Sequence, residues 1–150
     1  METSSEDAIE KVRQLISEPR VNTFIGGLGK PLFYTISGAH MYGFPSQDSD
    51  YDVRVGFIRP TSLILSLGEK PKQATWGVDV RKKNPSDQLD LYAMEAEHLL
   101  NNLLKSNGNY LEWFFNPLTF YKSEHYGELE HIAKQCVTKK LFDHFNHFSA

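Results

Sequence analysis

The chain of 150 residues contains one cysteine, Cys136. A single thiol closes no internal disulfide, which suits a reducing compartment, so the expected location is cytoplasmic. Cys136 lies in a helical pattern and reads as buried filler rather than as a nucleophile. Long hydrophobic runs are missing as well. Nothing approaches the roughly 18 apolar residues of a membrane helix, so no membrane partner is expected. The opening Met-Glu-Thr-Ser-Ser-Glu-Asp is acidic and lacks the apolar stretch of a secretory signal. Charge of one sign is not in excess either. A formal net charge of −3 excludes a global field that gathers nucleic acid. The dense basic clusters, Arg81-Lys82-Lys83 and Lys139-Lys140, read as solvated surface. Internal repeats, low-complexity tracts and Cys–His zinc spacings are absent too.

What is present fits one domain over residues 1–150, long enough for a useful core. Ala8, Ile9, Val12, Leu15 and Ile16 recur at helical spacing, which predicts a helix over 5–17, capped by Ser5 and ended by Pro19. Gly26-Gly27-Leu28-Gly29-Lys30-Pro31 reads as a loop. It lacks the spacing of a phosphate loop, and no helical pattern follows it. Strands are predicted at 32–36 and 52–59, with a turn or short helix over 38–43 between them. Residues 61–67 read as a short helix. Residues 69–86 read as a polar loop with a strand candidate at Thr75 to Val80. Gln88-Leu89-Asp90-Leu91-Tyr92 alternates as a half-buried strand does. Helical patterns follow at 95–105, 110–115 and 124–148. The predicted fold class is α/β (α+β), a small mixed sheet covered by helices.

The chemistry concentrates in Ser37-Gly38-Ala39-His40-Met41-Tyr42-Gly43 and in Ser49-Asp50-Tyr51-Asp52-Val53. On a strand, residues i and i+2 point to one face with Cα atoms roughly 6–7 Å apart. Asp50 and Asp52 thus aim two carboxylates at one place. Two like charges about 4 Å apart repel by about 4 kcal/mol at an effective dielectric near 20. Such a pair is solvated, shares a proton or holds a cation. A glycine-bearing turn beside it offers backbone N–H groups to an anion. Together these suit a nucleoside triphosphate with magnesium. Two rival chemistries fit less well. An EF-hand loop starting at Asp48 needs glycine and glutamate where Val53 and Arg59 stand. A phosphatase of the haloacid dehalogenase type places its first aspartate directly after a hydrophobic strand, whereas the approach here is a polar loop.

Gly38, His40, Tyr42, Gly43, Ser49, Asp50, Asp52 and Arg54 together resemble the signature of the DNA polymerase beta-type nucleotidyltransferase superfamily. They are most similar to a bacterial and phage branch described as predicted nucleotidyltransferases, or polymerase-beta-like proteins of an RNA-repair pathway. Leu67-Gly68-Glu69-Lys70-Pro71 resembles that family's linker after the catalytic strand. Leu103 to Phe114, with Asn109-Tyr110-Leu111-Glu112, resembles its helix-turn-helix. The likeness spans roughly residues 32–122.

The resemblance implies a catalytic core over about 32–92 and a helical part over about 93–150. Family members usually continue further, and the chain stops at Phe145 to Ala150 in mid-pattern, which fits either a truncated chain or a short member. The implied reaction transfers a nucleoside monophosphate from a nucleoside triphosphate to a hydroxyl, on an RNA end or a protein, and releases pyrophosphate. Asp50 and Asp52 occupy the positions of metal ligands for magnesium or manganese. Asp90 best fits the third carboxylate, which helps activate the attacking hydroxyl; Asp79 is its rival. All three must come within reach of one ion. Gly38, Ala39, Tyr42, Gly43 and Ser49 fall at the nucleotide-binding turn. Ala39 departs from the family, which has a serine there that contacts the triphosphate. That loss favours a second reading, a nucleotidyltransferase-like module that binds nucleotide or protein. Arg54 is expected to point away from or beyond the site and to pair with a carboxylate. His40 and Tyr42 are expected to pack in the turn, and Trp113, Phe114 and Phe115 to pack in the core rather than to stack a base.

Overall fold

The computed structural model describes residues 4–46, 49–77 and 88–146. Two helices open the chain, α1 (Ser5–Ser17) and α2 (Pro19–Leu28). The cap of α1 is Ser4, one residue before the predicted Ser5. Its Oγ accepts from the Asp7 N–H at 3.2 Å, while Asp7 Oδ2 accepts from the Ser4 N–H at 3.2 Å. Pro19 does not merely end α1: it starts α2. A proline in the first helical turn has no N–H to leave unpaired, and its φ already suits a helix. The loop predicted at 26–31 therefore shrinks to Gly29, at φ 138°. Val21 and Ile25, four residues apart, bury one face of α2, and that packing overrides the low helix propensity of Gly26 and Gly27.

Five strands follow: β1 (Lys30–Ile36), β2 (Tyr51–Ile58), β3 (Gln73–Trp76), β4 (Leu89–Glu95) and β5 (Thr119–Lys122). They lie in the order β3-β4-β2-β1-β5. The β2/β4 pair is parallel, and β1/β2, β1/β5 and β3/β4 are antiparallel. This is the expected mixed sheet with helical cover. The edge strand β5 escapes the sequence reading. Only four residues follow Pro117 there, and half of them are exposed. The strand candidate at 75–80 is realised as β3, earlier and shorter; residues 78–87, with Asp79 and Arg81-Lys82-Lys83, lie outside the described residues.

The remaining helices are α3 (Gly38–Tyr42), α4 (Thr61–Ile64), α5 (Ala96–Leu104), α6 (Gly108–Leu111), α7 (Tyr126–Gln135) and α8 (Lys139–Asn146). Each face of the sheet carries its own core. On one, Val53, Val55, Leu89, Leu91 and Ala93 pack under Ala8, Val12 and Leu15 of α1 and Val21 and Ile25 of α2. On the other, Phe33 and Met94 pack under Leu99, Leu103, Leu111, Trp113, Phe114 and Tyr126. Trp113 and Phe114 thus pack as expected and Cys136 is buried with them, whereas Phe115 is exposed, on the opposite side of the same turn from the core. No helix among the described residues is long and apolar enough to cross a membrane.

Candidate active site

Strand alternation places the acids. Val53 and Val55 face the α1/α2 core, so Asp52 and Arg54 face the other side. Asp52 and Asp90 are register partners on the parallel strands β2 and β4, and Arg54 and Tyr92 are the next pair on that face. Asp50 is exposed, immediately before β2. The carboxyl of Asp90 is held above its ordinary range, first by burial and then by the negative charges of Asp50 and Asp52, while Arg54 pulls it back. Three acids and one guanidinium therefore share an electrostatic neighbourhood.

Convergence stops at the backbone. Among the described residues, no three His, Cys, Asp or Glu side chains stand close enough to hold one ion. Facing acids favour rotamers that separate their oxygens, and Asp52 leans instead on Arg54, whose Nη2 is 3.5 Å from its Oδ1. Carboxylate oxygens are nonetheless the donors a hard divalent cation takes. The donor set fits magnesium or manganese in kind and in strand position, and side-chain rotation would have to complete it. Asp79 lies outside the described residues.

Arg54 does not point away from the acids. It lies two residues beyond Asp52 and so shares its face, and the expected pairing with a carboxylate is the contact with Asp52. Its guanidinium also sits 5.8 Å from the centre of the Tyr92 ring.

The glycine turn is built against the same acid. Gly38 has φ 64°, and a Cβ added there would land inside the Asp52 carboxylate. The Ser37 N–H donates to the Asp52 carbonyl at 2.7 Å, tying the turn to β2. Ser37 is the N-cap of α3, but its hydroxyl makes no capping bond. Ala39 brings only a methyl group to the first turn of α3. Gly43 ends α3 in the left-handed conformation at φ 80°. Ser49 is committed to its own turn: its Oγ accepts from the Ser46 N–H at 2.8 Å. His40 packs as expected, stacked on Tyr51 with ring centres 4.5 Å apart. Tyr42 does not pack in the turn. It is 56% exposed, and its hydroxyl donates to Glu112 Oε2 at 3.0 Å.

A cleft of about 330 Å³ opens beside the acids, lined by Ser37, Arg54, Tyr92, Asn109, Tyr110, Glu112 and Trp113. The sequence reading assigned no such wall. The available signal was Tyr92, which stands two residues after Asp90 and so on its face. Burial and the neighbouring Tyr110 push the Tyr92 hydroxyl up to about 12, so it stays a neutral hydrogen-bonding group.

Residues 5–150 match the family described as RNA repair pathway DNA polymerase beta. The chain belongs to this family. Two relatives are similar to it. The Uncharacterized protein MJ0002 of Methanocaldococcus jannaschii is 29% identical over 125 residues, covering 79% of this chain and 47% of the relative. The Uncharacterized protein YcgL of Bacillus subtilis is 32% identical over 96 residues, covering 63% of this chain and 34% of the relative. The chain thus spans half or less of the length of these two relatives. At the coarse level the family is one of nucleotidyltransferases associated with RNA repair.

Proposed function

We propose that this chain is a metal-dependent nucleotidyltransferase that moves a nucleoside monophosphate from a nucleoside triphosphate to a hydroxyl and releases pyrophosphate. The observation that carries the reading is the pairing of Asp52 with Asp90 across parallel strands, with Gly38 leaving its Cβ space to the Asp52 carboxylate. Asp50, Asp52 and Asp90 would hold magnesium or manganese, and such ions supply Lewis-acid stabilisation of the attacking and leaving oxygens. Asp90, whose carboxyl burial and the neighbouring acids hold above its ordinary range, would take the proton of the attacking hydroxyl. Gly38, Ala39 and Gly43 hold the turn that receives the triphosphate. Ser37 lines the cleft but precedes Gly38, so it does not stand in for the serine that Ala39 replaces. An RNA end is the acceptor that the family description favours. The test is incubation with labelled triphosphates, magnesium or manganese, and RNA or protein acceptors. Label transfer by the wild type that disappears in D50A/D52A supports the reading. Transfer that survives in that variant removes these acids from the chemistry.

Two observations favour a second reading, a nucleotide- or protein-binding module: Ala39 stands at the serine position, and no three-acid group is closed among the described residues. Nucleotide binding by the wild type without transfer to any acceptor would select it. Under the enzyme reading, A39S tightens triphosphate binding by roughly 10-fold or more, the weight of one hydrogen bond to a charged group.

A further inference from the structure

We infer that the cleft beside the acids takes a nucleobase and prefers guanine, an inference that rests on the proposed nucleotidyl transfer. The walls are of two kinds. Tyr92, Tyr110 and Trp113 form an aromatic side, with ring centres 6.0 Å apart for Tyr92–Trp113 and 5.2 Å for Tyr110–Trp113. Trp113 is buried behind this side, and the half-buried Tyr92 and Tyr110 are the rings a base can reach; such rings stack any base without choosing among them. The choice comes from Glu112, which is half-buried on the same wall. An ionised carboxylate only accepts hydrogen bonds, and its two oxygens offer about four lone-pair sites. The Tyr42 hydroxyl occupies one site on Oε2 and fixes the orientation of the group. The other oxygen and the remaining lone pair of Oε2 are left to accept from a ligand.

Guanine alone among the four RNA bases presents two adjacent donors on one edge, N1–H and the N2 amino group. Adenine and cytosine each set an acceptor nitrogen beside their amino donor. Uracil flanks its single N–H with two carbonyls. A carboxylate held edge-on therefore gains two charge-assisted bonds from guanine, and from the others one bond beside a repulsive lone pair. Arg54 lies across the cleft, toward the acids, where a phosphate attached to the base would fall.

Calorimetric titration of the full chain with GMP, AMP, CMP and UMP, in EDTA, reads the base preference apart from any transfer chemistry. GMP should bind at least 10-fold more tightly than the other three, the weight of one charged hydrogen bond. E112Q should bring GMP to the level of AMP, and Y42F should narrow the gap. Equal binding of all four by the wild type overturns the preference, whatever the variants do, and leaves nucleotidyl transfer standing. GMP preference without label transfer overturns the proposed function and keeps the base site. Transfer reactions pairing GTP or ATP with RNA ending in G or A then locate the source. Preference that follows the triphosphate marks a donor pocket, preference that follows the RNA end marks an acceptor pocket, and preference for neither overturns the inference.

Discussion

Gly38 shows how one missing side chain shapes the site. Its φ of 64° strains any L-residue, and its Cβ position is already filled by the Asp52 carboxylate. Gly43 isolates the two effects, because it is also left-handed, at φ 80°, yet has open space around it. G43A should cost about 1 kcal/mol from backbone strain alone. G38A should cost more and also abolish transfer, since the carboxylate must move. Urea unfolding and a transfer assay on both variants check this, and equal effects on both measurements would remove the steric argument. Asp90 makes a different prediction, in pH. An acid whose folded pKa lies above its unfolded value binds its proton more tightly when folded. Stability is therefore lost as pH rises from the ordinary carboxylate range through the raised value. D90N removes that loss. Its stability relative to wild type should climb over that interval and level off above the raised value, while transfer disappears. A pH series of urea midpoints reads the difference, and a flat difference would mean that the burial and the acidic neighbours do not act on Asp90.

At the scale of elements, the pairing of β2 with β1 depends on Gly56. It faces Phe33, and a Cβ there would meet the ring at 2.5 Å. Phe33 is fully buried and touches Trp113, Phe114 and Tyr126, so it has no free space to retreat into. G56A should cost about 1–3 kcal/mol by overpacking. Gly127, inside α7, meets nothing within 4 Å, so G127A should instead gain about 0.5–1 kcal/mol. Denaturant midpoints at constant slope check both. Elements with a one-sided apolar pattern were legible in the sequence: α1, β2, β4 and α5 lie within a few residues of their predicted bounds. Where local signals served two purposes, the reading failed. Pro19 can stop one helix or start the next, and only the burial of Val21 and Ile25 decides between them. Asn107, just past the helical pattern of 95–105, reads equally as a stop or a start; it caps the following helix, its side chain accepting from the Asn109 N–H at 3.1 Å. β5 is defined by its pairing with β1, a partner far away in sequence. The acids were legible because period-2 alternation is local. The cleft was not, because α6 brings Tyr110 and Glu112 to Tyr92 only through tertiary packing.

Across the whole molecule, two cores lie on opposite faces of one sheet and share β1 and β4. Asp90 stands on β4 and Asp52 on β2, its parallel partner, so the site should persist only while both faces remain packed. The two tryptophans report the faces separately. Trp76 packs against the α1/α2 core beside Phe24, with ring centres 5.4 Å apart, and Trp113 belongs to the core on the other face. If the strands couple the cores, unfolding is one transition, and the fluorescence of W76F and W113F should give coincident midpoints after correction for each variant's own stability. L15A offers the sharper test. Leu15 is buried in α1, on the face away from the acids, and truncating it should cost about 2–5 kcal/mol. Placed in both single-tryptophan backgrounds, it should shift the Trp113 signal as far as the Trp76 signal. A shift confined to Trp76 would show that α1 and α2 melt from an intact sheet, and that the acids do not depend on the packing behind them.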